Sequence, residues 1–188
     1  LYAIEIVFED LKQRLPVMIS VTITDKSGRT LSGQTATAFW YSIKHANPIS
    51  VGINCALGAE DMRPYMQELS NNCSCYISMY ANAGLPNEFG GYDDTPEKMA
   101  AIYGEFAEKK LSNIWGGCCG TTPRHIKYIA KAVENFKPRI PNEVDKYPNF
   151  SGLEPLKVDD TCNFVMAGGG TKDTGVPKFA KLIKEKKL

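Results

Sequence analysis

The sequence predicts an α/β fold built from parallel strand–helix units, and three observations carry that expectation. Between about residue 15 and residue 137, short apolar, β-prone runs alternate with longer amphipathic ones. Four such pairs fill about 120 residues, which is about 30 per unit, the size of a right-handed βα repeat. Two of the longer runs open with Thr-Pro, at Thr95-Pro96 and Thr122-Pro123. There a threonine suits the N-cap, and a proline suits the first helical position, where its missing N–H costs nothing.

The elements follow in order. Leu1–Lys12 reads as a helix. The predicted strands are Val17–Thr24, Ser50–Cys55, Cys75–Tyr80 and Leu111–Gly116, and the predicted helices are Thr35–His45, Glu60–Ser70, Pro96–Lys109 and Pro123–Phe136. In the last helix Ile126, Ile129, Ala130 and Val133 recur at three and four and mark one buried face. Such strands lie parallel in a sheet covered by helices. Two closures are compatible with the pattern: an open doubly wound sheet, or a (β/α)8 barrel. A barrel needs about 250 residues. On that reading the chain holds its C-terminal half, and Leu1–Lys12 precedes the fifth strand.

After Phe136 the texture changes. Lys137–Phe150 carries Pro138, Pro141 and Pro148 among charged residues without periodicity, which reads as a linker. Beyond it, Asn163–Ala167 is a predicted short strand, Gly168-Gly169-Gly170 a turn, and Pro177–Lys187 a basic helix. Thirty-odd residues cannot hold a core of their own. The expected organisation is therefore a half-barrel over residues 1–136, a linker over 137–150, and the truncated start of a second domain over 151–188.

Composition narrows the function. Of 188 residues 43 % are hydrophobic and 23 % charged, an ordinary globular balance. With 22 basic and 21 acidic residues the net charge is +1, no footprint for nucleic acid or an anionic membrane. No apolar run reaches the length of a membrane span, and no signal segment opens the chain. Leu1 is not Met, and the opening residues read as the middle of a longer chain, so a fragment is expected. Cysteines stand at 55, 73, 75, 118, 119 and 162. That is too sparse for a disulfide scaffold, and it points to free thiols in a reducing, cytoplasmic setting.

Cys55 ends one predicted strand, and Cys118 and Cys119 follow another, inside Gly116-Gly117-Cys118-Cys119-Gly120. In parallel α/β folds the C-terminal strand ends carry the site. Neighbouring cysteines on a regular strand point to opposite sides, but flanking glycines let the backbone turn so that both face one point. Three thiolates suit Zn2+, and three protein ligands with a fourth position open is the pattern of a catalytic zinc site. The plainer reading makes Cys55 a small buried hydrophobe and Cys118-Cys119 a packing or redox pair; on the residues alone both stand. Cys73, Cys75 and Cys162 read as structural, and His45 and His125 as surface or packing residues on helices. Asn82, in the loop Ala81–Asn87 between the two cysteine-bearing strands, is placed to touch an open metal position. The loop Ser27–Gly33 offers backbone amides for a carboxylate.

Four segments resemble, in order, the homocysteine-binding domain of the cobalamin-dependent methionine synthases. They are residues 23–35 (ITDKSGRTLSGQT), 52–58 (GINCALG), 82–87 (NAGLPN) and 116–123 (GGCCGTTP). The resemblance implies a (β/α)8 TIM barrel lacking its first four strands, with Zn2+ on Cys55, Cys118 and Cys119. It also implies that Asn82 takes the fourth position when substrate is absent. By the same resemblance the zinc holds homocysteine as thiolate, whose sulfur attacks the methyl group of methylcobalamin. Methyltetrahydrofolate recharges the cobalamin, and the partners are the cobalamin and folate domains of the same full-length chain. The tail residues 151–156 (SGLEPL) and 163–165 (NFV) resemble the entry to a folate-binding barrel, and 178–183 its first helix. This favours methionine synthase over the related betaine-type homocysteine methyltransferases. Two departures stand out. Gly168–Asp173 replaces the family's usual Gly-Glu-Arg-Thr/Cys-Asn, with Gly169 and Gly170 where acidic and basic residues are usual and Asp173 where Asn is. Val21 stands where Gly is common, which predicts crowding at the barrel mouth. A half-barrel exposes its inner face and two sheet edges, so the fragment alone is expected to aggregate and to lack turnover. A non-catalytic zinc or thiol module is the competing reading.

Overall fold

The computed structural model describes residues 1–24 and 26–165, together with 181, 184 and 185. A first compact unit spans Leu1–Lys157 and a second Val158–Leu188. The first unit holds, in order, α1 (Tyr2–Leu11), β1 (Met18–Val21), α2 (Ala36–Ile43), β2 (Ser50–Gly58), α3 (Arg63–Asn72), β3 (Tyr76–Asn82), α4 (Pro96–Glu108), β4 (Ile114–Gly117), α5 (Pro123–Val133), β5 (Asn149–Ser151) and β6 (Pro155–Lys157).

Strands β1 to β4 form one parallel sheet in the order β1-β2-β3-β4. A doubly wound sheet reverses at a switch point; here the order runs straight across. Right-handed crossovers between sequential neighbours place their helices on one face. The core agrees: Val51, Ile53, Ile77, Met79 and Ala81 share one buried cluster with Trp40, Met66, Leu69, Tyr103, Phe106 and Ile129. The opposite face is small and polar along its centre. Gly52 and Ser78 are register partners there, and a Cβ on Gly52 would overlap Ser78.

Helix starts obey local chemistry. Thr35 accepts from the Ala38 N–H at 3.2 Å and Thr95 from the Lys98 N–H at 3.2 Å. Thr122 and His125 cap α5 reciprocally. The predicted helix 35–45 breaks at Ile43, followed by a 3-10 turn over Lys44–Ala46 and a left-handed Asn47 ahead of Pro48. The predicted strand 17–24 shortens to Met18–Val21, because Ile53 is the last β2 residue that β1 pairs with. Ile23 instead makes an isolated antiparallel bridge to Thr30. Val21 is half-buried and packs against the core cluster. The predicted strand 163–167 does not form over 163–165. Its last two residues, the turn and substitutions at 168–173, and most of the helix 177–187 lie outside the described residues.

Residues 137–148 form no regular element but are pinned to the sheet. Arg139, 4 % exposed, donates to the carbonyls of Ser70 (2.9 Å), Cys73 (2.7 Å) and Cys75 (3.0 Å) and to the Ser70 hydroxyl. Its own carbonyl accepts from Asn113 Nδ2 at 2.7 Å, and Asn113 Oδ1 accepts from the Ile77 N–H. Further on, β5 and β6 pair as a hairpin against α2, where Ser151 Oγ donates to the Ala38 carbonyl at 2.6 Å. The compact unit therefore runs through Lys157. Arg139 ties the end of α3 to the start of β3 by donating to three carbonyls at once; Arg139→Ala removes that donor from the Cys75 carbonyl, while Asn142 still reaches the Ser70 and Cys73 carbonyls. Urea unfolding should show a loss of about 3 kcal/mol. Arg139→Lys should recover only part of it, because one ammonium cannot reproduce the fork of guanidinium donors.

Candidate metal centre

The three cysteines singled out by sequence converge. Cys55 Sγ lies 3.5 Å from Cys119 Sγ, and Cys118 Sγ lies 3.9 Å from Cys119 Sγ. All three sulfurs fall within 4.8 Å of one another. These are free thiols, far beyond the S–S bond length of about 2.05 Å. Tetrahedral coordination at about 2.3 Å per bond requires sulfurs about 3.8 Å apart. The spacing and the soft donor set therefore fit a zinc-sized ion.

Two local distortions create the cluster. In β2 the register with β3 slips between Asn54 and Gly58, and Cys55 and Ala56 both take left-handed conformations, at φ 59° and 58°. A regular strand would send Cys55 to one face and leave it there; the bulge turns it toward β4. In β4 the strand stops at Gly117, and the Cys118 N–H donates to the Ala81 carbonyl at 2.8 Å. The turn closes through the Thr121 N–H to the Cys118 carbonyl, and Gly120 sits at φ 77° with Tyr92 against its Cα, so no side chain fits there.

Asn82 is 2 % exposed at the end of β3, and its Oδ1 accepts from the Cys119 N–H at 3.1 Å. Its amide also helps the Cys55 thiolate. Burial opposes ionisation of Cys55, but the Ala56 N–H and the Cys119, Cys118 and Asn82 side chains outweigh it and lower the pKa. Cys118 shifts the other way, pushed up to about 11, first by burial and then by Cys55. A cluster of three like acids ionises unevenly in this way until a cation compensates it.

Cys73, Cys75, the histidines and the loop 27–33 stand apart from this cluster. Cys73 is fully buried and burial drives its pKa up, as it does for Cys75; both sit at the opposite end of β3 and are inert packing thiols. Cys162 lies in the second unit. His45 is exposed, and buried His125 caps α5 while its Nε2 meets the Asp94 carbonyl at 2.9 Å. In the loop 27–33 the Thr30 and Gly33 amides are used internally, on Gln34 and Thr30 carbonyls, and Arg29 turns to the Gly33 carbonyl and Glu154. Beside the loop lies a cleft lined by Val21, Thr22, Thr24, Thr30, Leu31 and Ser32. Asn54, next to Cys55, reaches toward it: its Nδ2 donates to Thr22 Oγ1 and its Oδ1 accepts from Ser20 Oγ.

Sequence reasoning missed Tyr92. Its hydroxyl faces Cys119, and that contact, followed by burial and the other two sulfurs, raises its pKa. Gly120 was readable as a turn glycine, but nothing in the sequence showed that Tyr92 lies against it.

Against this geometry the comparison with known families is decisive. The homocysteine S-methyltransferase family profile matches residues 1–133. The chain belongs to the homocysteine S-methyltransferase family. The match covers α1 through α5, and with them Cys55, Asn82, Cys118 and Cys119. Among the described residues, no helix is long and apolar enough to cross a membrane.

The left-handed Ala56 is a strained link in this arrangement. Ala56→Gly removes a Cβ from that conformation and should raise the thermal unfolding midpoint, an effect of about 0.5–1 kcal/mol. Differential scanning calorimetry of the two proteins would check it; an unchanged or lower midpoint would show that the conformation is not strained.

Proposed function

We propose that this chain carries the homocysteine-activating site of a methionine synthase, in which homocysteine sulfur accepts a methyl group from methylcobalamin. The observation that carries the reading is the triangle of Cys55, Cys118 and Cys119 sulfurs in a homocysteine S-methyltransferase domain. The motifs at 23–35, 52–58, 82–87 and 116–123 and the tail at 151–156 support the methionine synthase branch. Methyltetrahydrofolate, cobalamin and the domains that hold them belong to this proposal, as does the half-barrel organisation with a folate domain beginning near residue 151.

Cys55, Cys118 and Cys119 are the residues that would hold zinc, which there supplies a Lewis acid that keeps a substrate thiol ionised at neutral pH. A free thiol of pKa about 8.5 is mostly protonated at pH 7 and a poor nucleophile. The protein's own contribution is positional. The bulged β2 and the Gly-Gly-Cys-Cys-Gly turn present three sulfurs on one side, and Asn82 ties the Cys119 backbone to the Cys55 thiolate. In the proposed role Asn82 yields a polar contact to the incoming substrate. The cleft beside Thr22 and Thr30 lies next to Asn54 and is open to the rest of that substrate.

Zinc content decides between this reading and its competitors. Cys55→Ala, Cys118→Ala and Cys119→Ala should each bring metal per chain close to zero after chelator dialysis, while Cys73→Ala leaves it unchanged. X-ray absorption should then show three sulfurs around zinc becoming four on addition of homocysteine, with about one proton released per site near neutral pH. An unchanged sulfur count would identify a structural zinc module. Methyl transfer from betaine by the intact enzyme would move the chain to the betaine-type branch.

A further inference from the structure

Helix α4 sends one polar group into the sheet. Tyr103 is fully buried, and its hydroxyl lies between β3 and β4, accepting from the Ala81 N–H at 3.2 Å and donating to the Gly116 carbonyl at 2.7 Å. In the register of this pair Ala81 stands opposite Gly117. A parallel ladder joins the Ala81 N–H directly to the carbonyl of the residue before its partner, which is Gly116. The phenol therefore hydrogen-bonds both backbone groups of that rung. At the same residue pair the Cys118 N–H donates to the Ala81 carbonyl at 2.8 Å.

The position matters because the chain turns into the metal centre immediately afterwards. Asn82 follows Ala81, and Cys118 and Cys119 follow Gly116-Gly117. A hydroxyl bonded to both strands ties their ends to each other and to α4. Burial keeps the phenol protonated, as the donor to Gly116. The ring itself is fixed by the core cluster and by Trp115, at 5.6 Å between ring centres.

We propose that Tyr103 is a positioning residue for the metal centre, its hydroxyl acting as a tie that fixes the Asn82 and Cys118-Cys119 strand ends relative to each other and so the spacing of the sulfurs. The proposal rests on the three cysteines binding metal, as argued above. Tyr103 touches neither substrate nor sulfur; it acts through the backbone of Ala81 and Gly116. None of the motifs at residues 52–58, 82–87 or 116–123 contains it.

Tyr103→Phe tests it, since the ring and its core volume are kept and only the hydroxyl tie is lost. In the purified protein the variant should stay folded by circular dichroism. Its zinc dissociation constant, measured by chelator competition, should rise about tenfold, the loss typical of groups that orient metal ligands. The ligand-field bands of the cobalt-loaded variant should shift as the sulfur geometry changes. Phe106→Leu, one turn along the same helix and equally buried, is the control: it should lower stability and leave zinc affinity and the cobalt spectrum as in the parent. Parental affinity and spectrum in Tyr103→Phe would overturn the proposal. So would an equal loss of affinity in Phe106→Leu, which would make the effect one of general stability. A parent protein that binds no zinc would overturn the metal-site reading itself, a result distinguishable from both.

Discussion

The site depends on one irregularity in an otherwise regular sheet: the slip of β2 between Asn54 and Gly58. A parallel strand buried on its helix side cannot rotate a single side chain without disturbing every alternate residue after it. The bulge resolves this by inserting residues whose direction is free and then resuming. Cys55 and Ala56 take up the left-handed turn, and each costs about 1–2 kcal/mol there. The return to order is enforced just downstream. Leu57 is 2 % exposed, and Ala59 and Met62 are fully buried, all within the main core. Burying a leucine contributes about 1.5–3 kcal/mol, comparable with the strain it offsets. The sulfur is thus turned out of the strand by the packing of its successors.

The opposite side of the cluster is built differently. Cys118 and Cys119 need no strained non-glycine residue, because glycines surround them. Gly117 and Gly120 take close neighbours, Thr121 and Tyr92, where a Cβ would collide, and Gly120 also supplies the left-handed φ. One half of the centre therefore stores strain and the other avoids it, and Asn82 on the strand between them is bonded to both. A chain that placed Cys55 in a glycine-rich turn as well would lose the fixed direction that the bulge imposes.

How much of this was legible in the sequence follows from which forces are local. The Thr-Pro starts of α4 and α5 were readable because a cap is satisfied within four residues. The convergence of Cys55 with Cys118-Cys119 was readable because parallel strands necessarily bring their C-terminal ends to one side. The bulge was not, since left-handed backbone is usually announced by glycine, and here Cys and Ala adopt it. The end of β1 was not legible either, because pairing with β2 and not propensity decides it. Arg139 gave no signal at all. A charged residue in a proline-rich stretch ordinarily faces water, and its burial becomes intelligible only when the carbonyls of Ser70, Cys73 and Cys75, between α3 and β3, are seen to accept from it.

Those three carbonyls show why the two ends of the sheet are treated so unequally. At the N-terminal end, Arg139 satisfies the exposed backbone acceptors around Cys73 and Cys75, and their thiols are buried and raised in pKa. At the C-terminal end, polar groups are left pointing at one another: three sulfurs, a tyrosine hydroxyl and an amide. A cluster of thiols held this close is electrostatically unfavourable once ionised, and a divalent soft cation is what relieves it. The fold keeps Cys73 and Cys75 as packing thiols at one end and gathers three thiols within ligand distance of one another at the other. That asymmetry, more than any single residue, marks which end of the sheet is made for chemistry.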